Sequence, residues 1–201
     1  MNIIGISGKK GSGKDTFAKL LQKQLELSTC KSVRIDSFAA NLKYCCALIS
    51  GQPDYLFYNQ DMKDRKAGFL NFTNRELMQK FGDLTRSLDK DIWVKSLFNK
   101  YLDNPPEYLI ISDVRFKNEA EHIKKLDGIL IRIESDRAKE DNHISEIELD
   151  NYSKFDLEIS NNKSLTLEEL KSKANDAAYF IKEYKEWRIT VYLQLNQELE
   201  E

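Results

Sequence analysis

Residues Gly8-Lys9-Lys10-Gly11-Ser12-Gly13-Lys14-Asp15-Thr16 hold the spacing G-x-x-x-x-G-K, and the chemistry that spacing suits is the grip of a polyphosphate. Glycines let the backbone turn tightly and approach an anion. Successive N–H groups then point into the loop, and the start of a following helix adds partial positive charge. Lys14 is expected to reach the β and γ phosphates of ATP, with Gly8, Lys9, Gly11, Ser12, Gly13, Asp15 and Thr16 completing the donor site. After the lysine such loops usually carry Ser or Thr, whose hydroxyl ligates Mg²⁺. Here Asp15 stands in that place and Thr16 follows. Asp15 is therefore expected to hold Mg²⁺ directly or through water, and Thr16 to meet the α phosphate.

A second acidic position, Asp113, ends the apolar run Tyr108 to Ser112. In an open parallel sheet that end of a strand is where ligands bind, so Asp113 is expected to anchor the metal or its water, or to orient an acceptor phosphate. Arg115 lies two residues on and faces the same crevice in this reading; the competing reading is a helix N-cap at Ser112 or Asp113 with a solvated arginine. Arg75 and Arg86 flank a helix that also carries Gln79 and Gly82. Guanidinium forks suit a monophosphate, although two surface arginines on an exposed helix would read the same. Arg132 and Arg137 border a polar stretch before His143, a segment able to close over ATP and neutralise charge. His143 is read as a structural histidine.

The elements that must position these residues alternate. Asn2–Ile6 reads as a buried strand, and from Lys14 the spacing turns helical, with Phe17, Leu20, Leu21 and Leu25 on one face. A strand at Ser32–Asp36 and a helix at Phe38–Ile49 follow, the latter turning Phe38, Leu42 and Cys45 inward. Residues 51–73 lose any period and read as a surface excursion. Thr73 or Asn74 caps a helix to about Leu84, and Asp89 or Asp91 starts another that carries Trp93, Leu97 and Tyr101. Beyond Pro105 and Pro106 come the Tyr108 strand, a helix with Phe116, Ala120 and Ile123, a strand at Ile129–Ile133, a weaker strand at Leu157–Ser160 and a helix from Thr166. The last helix keeps its stripe through Tyr184, Trp187, Val191 and Leu195, and is expected to pack on its own body in preference to a second subunit. Strands alternating with helices imply an α/β class with a parallel sheet covered on both faces.

Composition excludes other classes. The 201 residues are 41% hydrophobic and 32% charged, with a formal net charge of −2. That balance suits a folded domain without the basic field of a nucleic-acid polymer binder. Cys30, Cys45 and Cys46 give neither a disulfide framework nor a metal-binding spacing, and read as reduced thiols in a cytosol. No leader or membrane-spanning run is expected.

On these residues the chain resembles the deoxynucleoside monophosphate kinases of bacteriophages and some bacteria, within the P-loop nucleoside monophosphate kinases. The likeness runs from Ser7 to Thr16 through Asp36-Ser37-Phe38-Ala39 with Lys43, Arg75 to Gly82, Arg86 and Asp91-Ile92-Trp93-Val94. It continues in Ser112-Asp113-Val114-Arg115-Phe116 with Glu119 and Ala120, His143-Ile144-Ser145-Glu146, and Asp156 to Asn161. The resemblance implies a three-layer α/β P-loop NTPase fold with a mainly parallel sheet, formed by residues 1–201 as a single domain. It also implies an acceptor-binding insertion at about 37–102, a lid at about 134–151 and a C-terminal helix at about 166–199. The implied reaction converts a dNMP and MgATP into dNDP and ADP in the cytoplasm, host cytoplasm for a virus, by a monomer or homodimer. Lys14, Asp113, Arg86 and Arg137 are the implied catalytic set, and Asp15 and Asp113 the implied metal ligands. Phe38, Lys43, Arg75, Gln79, Arg86, Asp113 and Arg115 would serve the acceptor, and either Arg132 or Arg137 would meet the ATP phosphates. Residues 52–72 match no family pattern, so the residues that select base and sugar are unassigned. The competing functions are a P-loop kinase of phosphomevalonate or dephospho-coenzyme A, and a non-catalytic ATP sensor.

Overall fold

Along the third strand Leu109 and Ile111 enter one core while Ile110 enters another, because successive side chains of a strand point to opposite faces. A strand buried on both faces must be covered by helices twice, and the computed structural model, which describes residues 1–137 and 143–200 and side chains through residue 188, has that layering. The elements are β1 (Asn2–Ser7), α1 (Lys14–Thr29), β2 (Val33–Asp36), α2 (Ala40–Ser50), α3 (Tyr55–Tyr58), a 3-10 turn (Gln60–Met62), α4 (Asn74–Leu88) and α5 (Ile92–Asn99). Then come β3 (Tyr108–Val114), α6 (Lys117–Lys125), β4 (Ile129–Glu134), α7 (Ile144–Ile147), β5 (Leu157–Ser160) and α8 (Leu167–Glu200). One sheet carries all five described strands in the order β2-β3-β1-β4-β5, every pair parallel.

That order positions the site. After β1 the chain crosses toward β2, whereas after β3 it crosses toward β4. The two loops diverge and leave a crevice at the carboxyl ends of these neighbouring strands, the place where open α/β sheets bind ligands. The pairing is irregular there: Gly5 faces Ile111 and Ser7 faces Val114, so Ser112 and Asp113 together oppose the single residue Ile6. A bulge of this kind re-aims side chains, and it falls on the carboxylate singled out above.

One core lies between the sheet and α2, α4, α5 and α6, and contains Leu42, Trp93, Leu97, Ile111 and Ile123. The other lies against α1 and the first half of α8, where Phe17, Leu21 and Leu25 meet Leu170, Ala174, Ala177 and Ile181. The last helix thus packs on its own body as far as Tyr184; the side chains of Val191 and Leu195, which continue its stripe, lie outside the described residues. So do residues 138–142 of the expected lid. Among the described residues no helix is long and apolar enough to cross a membrane.

The structure corrects three local expectations. Cys46, fully buried, is the inward cysteine of α2, and Cys45 is only partly covered, a one-residue difference in helical phase. Neither Ser112 nor Asp113 caps α6. The cap position is Phe116, and the Glu119 carboxylate accepts its amide at 3.1 Å. The 51–73 excursion is anchored as well as exposed: Phe57 and Ala67 are fully buried, and Thr73 and Glu76 close a capping box at the start of α4, with Glu76 N–H donating to Thr73 Oγ1 at 3.1 Å and Thr73 N–H to Glu76 Oε2 at 2.8 Å. Such a cap stabilises a helix by about 1 kcal/mol.

Candidate active site

The loop between β1 and α1 has the shape its glycines predict. Gly11 and Gly13 take φ of 83° and 86°, in the left-handed region. Gly13 is the N-cap of α1 and supplies no side-chain cap, which leaves the first amides of the helix open to an anion. The loop is braced from behind by Asn161, nearly buried after β5, whose Nδ2 donates to the Ser12 carbonyl at 2.8 Å. A Cβ at Gly8 would come within 2.6 Å of Ser12 Oγ and 2.8 Å of the Ile133 carbonyl. At Gly13 a Cβ would collide with the Asn161 amide. Gly13→Ala should therefore lower Tm by roughly 4–8 °C, the equivalent of about 2 kcal/mol in a domain of this size, and remove the rise in Tm expected of wild type with a bound nucleoside triphosphate. A variant that melts and responds to MgATP like wild type would refute this account of the loop.

Two further observations fit a triphosphate. Ser12 Oγ is buried with no hydrogen-bond partner, and Lys14 is 7% exposed. Burial pushes the Lys14 ammonium below its ordinary range, and Arg115 adds to this, while Asp15 and Asp113 offset part of it and Lys43 lowers it again. A buried cation in this state is stabilised by an incoming anion. Asp15 and Asp113 border the same cleft. Two carboxylates beside a phosphate site are the donor set Mg²⁺ takes, since that ion keeps most of its coordination for water and phosphate oxygens.

The cleft, of about 520 Å³, runs from Lys14 and Asp15 to a wall built by α2, α4 and the loop after β3. Asp113 holds that wall: its Oδ1 accepts the Phe38 amide at 2.7 Å and its Oδ2 the Ala39 amide at 3.0 Å. It thereby caps the entry to α2. Asp36, at the end of β2, is engaged by Lys100 and by the Tyr101 hydroxyl, both at 2.6 Å. Glu119 is buried on α6, accepts the amides of Arg115 at 2.8 Å and Phe116 at 3.1 Å, and stands 3.9 Å from Arg86. Burial raises its carboxyl to about 8, and Asp113 adds to this, against the pull of those amides and Arg86. Arg86 also lies 4.0 Å above the Phe116 ring, so its guanidinium is fixed from two sides.

From α7, Glu146 reaches across the cleft. Its carboxylate pairs with Arg115 and accepts the Lys10 amide of the phosphate loop at 2.8 Å. Asp150 holds Lys9 at 2.9 Å and Arg132 at 3.2 Å.

Of the residues expected at the site, Lys43, Arg75, Gln79, Arg86, Asp113 and Arg115 share the cleft with Lys14 and Asp15. Phe38 does not: its ring is buried in the core against Phe98. Arg132 and Lys9 line a separate recess of about 340 Å³ with Ser12, Glu134 and Asn162. Arg137 turns to the loop before α8, where Nη2 donates to the carbonyls of Asn162, Lys163 and Leu165 at 2.9, 3.1 and 3.3 Å.

The sequence model of the deoxynucleotide monophosphate kinase family matches residues 58–174. A relative from Acanthamoeba polyphaga mimivirus that carries the same family name is 35% identical over 184 residues, covering 82% of this chain and 91% of its own. The chain belongs to the deoxynucleotide monophosphate kinase family. It is thus a phosphotransferase acting on deoxynucleotides. A gluconokinase from Sinorhizobium meliloti 1021 aligns over 93% of this chain and 97% of its own, at 10% identity and a TM-score of 0.46.

The family match begins at Tyr58, inside the segment that matched no pattern, and leaves out the loop at residues 8–16. In this kinase Asn161, Glu119 and Glu146 are site residues that single-sequence reasoning did not assign roles, although each falls in a stretch of resemblance. Lys63, which also lines the cleft, falls in none.

Proposed function

We propose that the protein binds MgATP at the loop of residues 8–16 and a deoxynucleoside monophosphate in the adjoining cleft, and transfers the γ-phosphoryl group between them. An oxygen of the acceptor phosphate bonds to the γ phosphorus as the bond from that phosphorus to the β–γ bridging oxygen breaks, and ADP leaves. The observation that carries this reading is the meeting of Lys14 with Lys43, Arg75, Arg86 and Arg115 in one cleft at the β1–β3 crevice. Phosphoryl transfer depends on positioning and charge neutralisation, and each positioned donor of this kind contributes about 10²–10³ in kcat.

Lys14 holds the β and γ phosphates and follows charge onto the leaving oxygen. Lys43, Arg75 and Gln79 hold the acceptor. Arg86 and Arg115 face the transferring group, the first kept in place by Glu119 and Phe116. Asp15 and Asp113 would hold Mg²⁺. That ion supplies charge neutralisation on the phosphate oxygens when bound. Arg132 and Arg137 belong to the donor side in this reading, residues 134–151 to a lid and residues 37–102 to the acceptor region. Both halves of the cleft come from one chain, so the chemistry needs no second subunit, and we place it in the cytoplasm with the ATP and nucleotide pools.

The test is turnover. Purified protein with MgATP is offered the deoxynucleoside monophosphates, the ribonucleoside monophosphates, phosphomevalonate and dephospho-coenzyme A, and ADP is followed. At least one dNMP should give the highest kcat/KM. Turnover confined to a non-nucleotide acceptor would overturn the assignment.

A further inference from the structure

Lys63 is held over the cleft by the start of α4. The first amides of a helix have no partner inside it, and here those of Asn74 and Arg75 donate to the carbonyls of Arg65 at 2.9 Å and Lys63 at 2.7 Å. The buried Asn74 side chain adds a bond from Nδ2 to the Met62 carbonyl at 3.0 Å. Residues 62–65 therefore ride on α4 as a strap, and the strap sets where Lys63 stands.

Its side chain enters a crowd of cations. Lys14 from α1, Lys43 from α2, Arg75 from α4 and Arg115 from the loop after β3 line the same cleft. Arg75 is paired with Asp64 and Arg115 with Glu146, and the Lys43 ammonium lies 4.4 Å from the Tyr58 ring centroid. The carboxylates of the cleft wall are engaged too, Asp36 by Lys100 and Tyr101, Asp113 by two amides. Among the described residues Lys63 has no carboxylate within ion-pair distance. Asp64, next in the chain, is drawn to Arg75, and a half-buried lysine crowded by cations with no ion-pair partner of its own lowers stability until an anion joins it.

We propose that Lys63 binds the acceptor's phosphate, as a direct ligand to the dianionic monoester of a deoxynucleoside monophosphate. The identity of that anion rests on the kinase reading above; the need for one rests on the cation cluster. The acceptor is favoured over the donor because Lys63 is bonded through its carbonyl to Arg75 of α4 and lines the cleft beside Tyr58, Gln60 and Gln79, whereas Lys14, from the residue 8–16 loop, is the weakest of the four cations acting on it. Burial, then Lys43, Arg115, Arg75 and Lys14 in falling order, push the Lys63 ammonium down to about 7. At pH 8 the group is mostly neutral in the empty protein, and a dianion that recharges it draws in a proton.

The experiment is calorimetric titration of each of the four common deoxynucleoside monophosphates into wild type, Lys63→Met and Lys63→Arg at pH 8, in buffers of different ionisation enthalpy. Wild type should take up protons, to a maximum of roughly one per site. Lys63→Met should lose most of that uptake and bind at least about tenfold more weakly, with a non-hydrolysable ATP analogue changed by less than about threefold. Lys63→Arg should keep most of the affinity. The variant should fold, since it removes a repelled cation: Tm of the empty wild type should climb as pH rises from about 7 toward 10.5, where Lys63 is neutral in the folded state and still charged in the unfolded one, and that climb should shrink in Lys63→Met.

Affinity within twofold of wild type and unchanged proton uptake in Lys63→Met would overturn the proposal, as would a loss confined to the ATP analogue. Turnover of dNMPs by wild type reads the kinase assignment separately. Binding without turnover overturns that assignment and leaves the Lys63 comparison standing, while wild-type protein that binds no dNMP overturns both.

Discussion

Lys14→Ala should lower kcat for dNMP phosphorylation by about 10³ and abolish the thermal shift that MgATP gives the wild type. A ligand at a hundred times its Kd stabilises a protein by about 2.7 kcal/mol, so the wild-type shift should be roughly 5–10 °C in a domain of this length. The empty variant should not melt lower than wild type by more than a degree or two, because the side chain removed is a buried ammonium held below its ordinary range by burial and by Arg115. That combination separates a lost ligand from a lost fold. Undiminished transfer by the variant would remove Lys14 from the phosphate site and the kinase mechanism with it.

Asp113→Asn should be nearly as severe, for two reasons that act together. Both carboxylate oxygens accept amides, from Phe38 at 2.7 Å and Ala39 at 3.0 Å. An amide side chain must turn its NH₂ toward one of them, which exchanges a charge-assisted bond of about 1.5–3 kcal/mol for a repulsive contact. The entry to α2, which carries Lys43, then moves, and a negative charge assigned to the metal is lost. We expect kcat to fall by about 10²–10³, Tm by roughly 4–8 °C, and the Mg²⁺ concentration for half-maximal rate to rise. Measuring rate against Mg²⁺ separates the roles: unchanged Mg²⁺ dependence with the Tm loss intact would leave Asp113 as a brace alone.

Much of the architecture was legible because it follows from local periods. The apolar runs of β1, β3 and β4 are recognisable at any sequence distance, and Thr73 with Glu76 marks the start of α4 from four residues. The phosphate loop was legible for the same reason, its glycines and lysine being contiguous. What stayed hidden depends on partners far along the chain. Asp113 looks like the cap of the helix that follows it, and becomes the cap of α2 only through contacts across 75 and 74 residues. Lys63 sits in an aperiodic stretch, and no spacing rule relates it to the α4 amides that hold its carbonyl. Glu119 stands among the residues of resemblance with no role, because its burial beside Arg86 comes from tertiary packing. Arg137 follows β4, and only the folded chain brings its guanidinium to three carbonyls before α8.

The bulge at the end of β3 limits how this chain can vary. Two residues, Ser112 and Asp113, fill the place opposite Ile6 where a regular ladder has room for one. Trimming either would repair the ladder, yet it would remove Asp113 or change the face its carboxylate takes. Either loss would release the amides of Phe38 and Ala39 that hold the entry to α2, so stability would fall together with activity. Strand length at this point is therefore a catalytic specification, open to conservative exchange of Ile111 but closed to the loss of a single residue.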